Sequence, residues 1–253
     1  MSTTGSYLYG FTDGRFQAAP ELLGLAGAPV QSLSYRDVSA IVSPHPVQRL
    51  VPSRRNLEPH HRIVRHISTV ATLVPAAFGH ISESDDELLA VLQDNYDEIR
   101  QEISRLDHKC EMGLKLSWSV DNIFLYFVRR DRELREMRDR AFCNREPSAL
   151  EKIEIGGRFE ALLQRDREQC ANALINAFSR VAREVLTVPP RSEKTVCEIA
   201  LLIERTAIAE FEAALGEAAA GFDQHFTLEY SGPWPAYSFV HLRLQQADSP
   251  NVA

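Results

Sequence analysis

At 253 residues, with 44% hydrophobic and 25% charged side chains, the chain has ordinary globular composition and length enough for two domains, each able to bury a core. A formal net charge of −7 sets the whole-molecule field against a phosphate backbone, which disfavours nucleic acid as a partner. No apolar run approaches the roughly 20 residues a bilayer span requires, and Met1-Ser-Thr-Thr-Gly-Ser6 has neither the basic start nor the apolar stretch of a secretory signal, so no membrane partner and a cytoplasmic location are expected.

The chain opens with strand signals at Tyr7-Leu-Tyr-Gly-Phe11, Val30 to Tyr35 and Val38 to Ser43, the last two separated by Arg36-Asp37 as in a tight hairpin. Pro44, Pro46 and Pro52, with Arg49, Arg54 and Arg55, mark an exposed connector. A helix is expected from Glu58 onward, with Ile63, Ile67, Val70 and Val74 at helical spacing. Leu73-Val-Pro-Ala-Ala-Phe-Gly79 then reads as extended, because Pro75 cannot continue a helix. Ser84-Asp-Asp-Glu87 is a capping box, and Leu88, Leu92, Tyr96, Ile99, Ile103 and Leu106 follow on one face of a single predicted helix.

Cys110 to Trp118 alternates apolar and polar residues, the pattern of a strand with one buried face. Val120 to Arg140 reads as a helix whose second half alternates charge sign, the mark of a solvated face. A second capping box, Ser148-Ala-Leu-Glu151, opens a long helical pattern that runs through Phe178, Val181 and Val185, with Gly156-Gly157 as the place where it would bend. Pro189-Pro190 stops it. Thr195 to Ile203 reads as a central strand, Thr206 to Ala219 as a helix ending at Gly221, and His225 to Tyr230 with Tyr237 to Leu244 as two strands joined by Gly232-Pro-Trp-Pro235. Two prolines there fix the backbone around one of the two tryptophans, so Trp234 is either a displayed contact residue or the cover of its own core edge.

The resulting fold class is α+β: two domains, each a small antiparallel or mixed sheet with helices packed on it, residues 1–107 and 108–244, with 245–253 as a flexible tail. The second domain is expected to be ferredoxin-like, or a circular permutation of that arrangement.

Catalytic, cofactor and metal sites are not expected. The sequence holds no Gly-x-Gly-x-x-Gly, Gly-x-x-x-x-Gly-Lys-Ser/Thr, Gly-x-Ser-x-Gly or His-Glu-x-x-His. His60, His61 and His66 form the one histidine cluster, but a five-residue step places His61 and His66 about 140° apart on a helix, which is no i, i+4 metal pair. Cys110, Cys143, Cys170 and Cys197 lie far apart and read as reduced thiols, with Cys110, Cys170 and Cys197 as small apolar packing residues. An RNA-binding or small-ligand-binding ferredoxin-like module is the alternative function, although RNA binding would require paired aromatics on a central strand and a basic surface.

Four segments in one order, Tyr7-Leu-Tyr-Gly10, Leu73-Val-Pro-Ala-Ala-Phe-Gly79, Glu111-Met-Gly-Leu-Lys115 and Gly232-Pro-Trp-Pro-Ala-Tyr-Ser-Phe-Val240, resemble the gas vesicle protein GvpL/GvpF family from Tyr7 to about Leu244. Ala77 stands where that pattern commonly has arginine, and Ala236 where a second proline is frequent. The resemblance implies a non-enzymatic accessory or minor structural protein of the gas vesicle, built of two α+β domains. It also implies contact with the shell protein GvpA, and with other gas vesicle accessory proteins, during nucleation and assembly, limiting GvpA aggregation. The candidate partner-binding residues are Tyr7, Tyr9, Phe11, Trp234 and Tyr237, with the core as the favoured place for Tyr7 and Phe11.

Overall fold

Two β-sheets with helices packed on them organise the chain, which is the α+β class expected. The structure is a computed structural model and describes residues 4–14, 16–19, 21–143 and 145–244, so the expected tail at 245–253 lies outside the described residues. The chain divides into one unit that runs to Glu111 and resumes at Pro233, and another from Met112 to Gly232. The boundary expected after residue 107 thus falls a few residues later, and the stretch after Pro233, expected in the second domain, returns to the first.

In the first unit β1 (Thr4–Asp13), β2 (Gln31–Tyr35), β3 (Val38–Pro46) and β4 (Leu73–Pro75) lie in the order β2-β3-β1-β4, with the short β5 (Ile81–Ser82) also on β1. All these pairings are antiparallel. Arg36 and Asp37 make the predicted tight turn, Arg36 taking φ 53° between paired Tyr35 and Val38. β1 is the spine of this sheet, and its residues from Gly5 to Thr12 are all buried. Three helices pack on the sheet: α1 (Arg54–Val70), α2 (Asp85–Asp94) and α3 (Tyr96–Leu106). α1 begins before the predicted Glu58 and carries Pro59 within it. Its buried face is His60, Ile63, Val64, Ile67 and Ser68, whereas Val70, expected on that face, is exposed. The single helix predicted from Ser84 to Leu106 is two. Asn95 ends α2 and begins α3 with φ −115° and ψ 22°, its side-chain amide donating to the Val91 carbonyl at 2.8 Å. The Ser84 hydroxyl accepts from the Glu87 amide at 3.1 Å, the predicted cap.

The second unit places β6 (Lys109–Trp118), β7 (Ala182–Val188), β8 (Thr195–Glu204) and β9 (Phe226–Trp234) in the order β7-β8-β6-β9. With α4 (Ile123–Arg130), α5 (Arg132–Ala141), α6 (Ala149–Phe178) and α7 (Ile208–Ala220), the chain order is β-α-β-β-α-β. β6 buries Cys110, Met112, Leu114, Leu116 and Trp118 in strict alternation, as its sequence pattern requires. β8 lies between two neighbours and is buried almost throughout, as predicted for a sheet centre. Asp131 splits the helix predicted over 120–140: its carboxylate accepts from the Leu134 amide at 2.7 Å and so starts α5.

Two expectations fail here for tertiary reasons. The helical pattern through Val181 and Val185 ends at Phe178, and β7 forms instead because its β-branched residues pair with β8, for example Val185 with Leu201. Tyr237 to Leu244 is not a strand; β9 runs through Gly232 and Pro233 to Trp234, and a single 3-10 turn (Tyr237–Phe239) follows.

Gly156 and Gly157 do not bend α6, which is continuous from Ala149 to Phe178. A Cβ at either position meets nothing within 4 Å, so the two glycines destabilise the helix through backbone entropy alone. Replacing both with alanine is expected to raise the unfolding free energy by roughly 1–2 kcal/mol, measured by chemical denaturation, with circular dichroism unchanged.

Candidate partner-binding groove

A groove of about 810 Å³ in the first unit is lined by Glu58, His61, Arg62, Arg65, His66, Thr69, Glu111, Trp234, Pro235 and Tyr237. One wall is the outward face of α1. Because His60, Ile63, Val64 and Ile67 face the core, the residues between them, His61, Arg62, Arg65 and His66, must face out, as 3.6-residue periodicity dictates.

The inward face of α1 is fixed by a polar cage inside an aromatic core. Tyr7 and Tyr9, two apart on β1, point to the same side and stand edge to face with centroids 5.0 Å apart. The buried His60 ring stacks on Tyr9 at 5.8 Å and meets Tyr7 and Phe78 edge-on at 5.7 Å. The Tyr7 hydroxyl lies 2.8 Å from His60 Nδ1 and accepts from the Gly79 amide at 3.2 Å, so it donates its own proton to a neutral imidazole. The Tyr9 hydroxyl accepts from the Leu25 amide at 2.8 Å and pairs with the Ser43 hydroxyl at 2.9 Å. Gly24 is the residue that this approach demands, since a Cβ there would sit 2.0 Å from the Tyr9 oxygen. Burial raises the titration of both tyrosine hydroxyls, which keeps them neutral donors and acceptors.

The other wall is the proline-clamped turn. Trp234 is 42% exposed, while Ala236 is buried and Pro235, also buried, lines the groove with Trp234. The Tyr237 amide donates to the Pro235 carbonyl at 2.7 Å and the Phe239 amide to that of Ala236 at 3.1 Å. Glu111 clamps the turn, its two carboxylate oxygens accepting from the Ser238 amide at 2.8 Å and the Ser238 hydroxyl at 2.7 Å. Behind it, Glu102 is only 6% exposed yet charged: burial raises its carboxyl, but the Arg105 guanidinium at 2.9 Å and the His241 amide at 2.7 Å outweigh this and hold it below the usual carboxylate range. Arg105 also donates to the Phe239 carbonyl. The walls meet where Tyr237 reaches His61, hydroxyl to Nδ1 at 3.3 Å, and where the Arg65 guanidinium lies 5.5 Å from the centre of the Trp234 indole.

Of the residues named from sequence, Trp234 and Tyr237 come together in this groove. Tyr7, Tyr9 and Phe11 do not: each is at most 2% exposed, so they are core residues and offer no surface to a partner. Glu58, Arg62, Arg65, Thr69 and Glu111 also line the groove, and no local sequence signal marks them as its wall. His60 is a core residue and His61 and His66 lie on the surface. No group of three or more His, Cys, Asp or Glu able to hold a metal occurs among the described residues. The one aromatic of β6, Trp118, is buried against Phe127 and is no base-stacking platform. Cys110 and Cys197 are buried, Cys170 is half-buried, and burial lifts the Cys197 and Cys170 thiols to about 11 and about 12, which suits packing rather than reactivity.

The family model described as gas vesicle synthesis protein GvpL/GvpF matches residues 5–241. The chain belongs to that family. Among its relatives, a gas vesicle protein F of Streptomyces sp. (strain CB03234) is 29% identical across 95% of this chain and all of that protein. Gas vesicle protein F2 of Halobacterium salinarum is 24% identical across 98% of each, and gas vesicle protein L1 of the same organism is 24% identical across 94% of this chain and 91% of its own length. The crystal structure of GvpF from Anabaena sp. PCC7120 superposes with a TM-score of 0.83 at 23% identity over 95% of this chain and 99% of that one, and GvpF from Microcystis aeruginosa with 0.79 at 21% over 94% and 99%. The fold of this GvpL/GvpF-family chain is therefore that of the solved GvpF proteins, and the groove is built from both ends of the family match.

The cage makes stability depend on acid in a defined direction. Burial, and secondarily the neighbouring His61, push His60 down to about 4 from an ordinary value near 6.5. The unfolded chain therefore binds this proton more readily, so the contribution is complete above about pH 6.5 and is lost as pH falls toward 4, by roughly 3 kcal/mol. Urea midpoints measured across this range should fall with pH in the wild type, and His60→Gln should flatten the slope.

Proposed function

We propose that this GvpL/GvpF-family chain is an accessory or minor structural protein of the gas vesicle, acting in the cytoplasm and at the vesicle during nucleation and assembly. In this reading it binds the shell protein GvpA, limits its aggregation and contacts other accessory proteins. It works by surface complementarity and makes or breaks no covalent bond. The observation that carries the reading is Trp234, held 42% exposed between two prolines beside Arg65 and Tyr237 at the rim of a groove. Tryptophan, tyrosine and arginine are the side chains in which interface energy concentrates, and a turn already rigid before binding loses little entropy when it docks. A shell subunit that lines a gas space has to carry apolar surface before assembly, and such surface aggregates unless a partner covers it.

Trp234→Ala removes an exposed side chain and is expected to leave far-UV circular dichroism and the unfolding midpoint near wild type. Co-purification with GvpA should weaken by about 30-fold or more, the cost of losing a central aromatic anchor. GvpA captured at wild-type strength by this variant would move the contact elsewhere on the molecule.

A further inference from the structure

The groove carries a charge pattern that specifies more than an apolar contact. Arg62 and Arg65 stand one turn apart on the outward face of α1, about 4.5 Å along its axis. Neither has a carboxylate partner among the described residues; Arg62 donates one Nη2 hydrogen bond to the Leu23 carbonyl at 2.8 Å, and Arg65 lies against the Trp234 indole. In the cavity along α3, by contrast, the arginines are paired: Arg100 with Asp37 at 3.2 Å, and Arg105 with Glu102 at 2.9 Å. Of the two carboxylates in the groove, Glu111 is committed to both donors of Ser238, leaving Glu58 alone against two guanidinium groups. A molecule with a net charge of −7 thus presents a locally positive, aromatic-walled groove.

We propose that the occupant of this groove is an apolar segment of the protein partner that bears a carboxylate, its apolar side chains lying on Trp234, Pro235 and Tyr237 and its carboxylate received by Arg62 and Arg65. The inference rests on the groove being the partner surface and adds the chemistry of what fills it. A guanidinium over an indole, as Arg65 is over Trp234, still has N–H groups free to reach past the ring, where a carboxylate can accept two of them at once. The indole contact also restricts the guanidinium before the partner arrives, so less side-chain freedom is lost on binding.

The test uses two fluorescent synthetic helical peptides with one identical leucine-alanine face, flanked by glutamates in one and lysines in the other, titrated into the full chain and followed by anisotropy. Non-specific attraction to an acidic protein favours the lysine peptide, so the two explanations predict opposite orders. The expected result is about tenfold tighter binding of the glutamate peptide, a preference that added salt weakens. Arg62→Glu with Arg65→Glu should invert the preference, and the milder Arg65→Gln should reduce it while leaving circular dichroism unchanged. Equal binding of the two peptides, tighter binding of the lysine peptide, binding of neither, or a preference that survives both sets of substitutions overturns the inference. GvpA capture separates it from the reading beneath it. Loss of capture in Trp234→Ala with full capture in the charge-reversed protein keeps the groove and rejects the carboxylate, whereas full capture in Trp234→Ala rejects the groove itself.

Discussion

A buried histidine pins α1 to the central strand of the first unit. His60 has no exposure, sits among Tyr7, Tyr9 and Phe78, and takes its hydrogen bond from the Tyr7 hydroxyl. Burial keeps the ring neutral, and Nδ1 finds the Tyr7 hydroxyl in one rotation of α1 about its axis, while the buried Nε2 has no hydrogen-bond partner among the described residues. That rotation decides the outer surface as well. With residue 60 turned inward, residues 61, 62, 65 and 66 are turned outward, and the cationic wall of the groove follows from the packing of the core.

The second wall depends on a chain return that costs little disorder. Pro233 and Pro235 limit the backbone on both sides of Trp234, and Glu111 and Glu102 bind the amides of Ser238 and His241. Glu102 illustrates how a buried charge is made acceptable: it is paired with Arg105 and accepts a backbone N–H, so nearly every lone pair has a use. The turn is therefore held by side chains of α3 and β6 within its own unit, and Trp234 is left exposed by geometry rather than by looseness.

The local signals in the sequence translated directly. The alternation from Cys110 to Trp118, the caps at Ser84 and Ser148, the tight turn at Arg36-Asp37 and the central character of Thr195 to Ile203 all depend on residues close in the chain, and each is present. What remained hidden depends on distant partners. β7 exists because β8 offers it an edge, and Tyr237 to Leu244 leaves the strand conformation because it docks on α3 and β6. Tyr7 and Phe11 lie in the core, the place the sequence favoured for them, while Tyr9, offered as a contact residue, is buried because His60 of α1 stacks on it. The groove was half legible: two prolines around a tryptophan announced one wall, but nothing in the sequence near Arg62 or Arg65 foretold that a hydroxyl from Tyr237, 176 positions away from His61, would close the space between them.

The chain belongs to the GvpL/GvpF family and shares the fold of solved GvpF proteins, and the proposal that its groove receives a partner is open to direct test. The most direct measurement is site-specific photo-crosslinking, with a benzophenone amino acid placed either at Thr69, exposed on the groove wall, or at Glu160, exposed on α6. Cells or lysates containing GvpA should give a GvpA adduct from position 69 and little or none from position 160. Adducts of equal yield from both positions, or from 160 alone, would contradict the account.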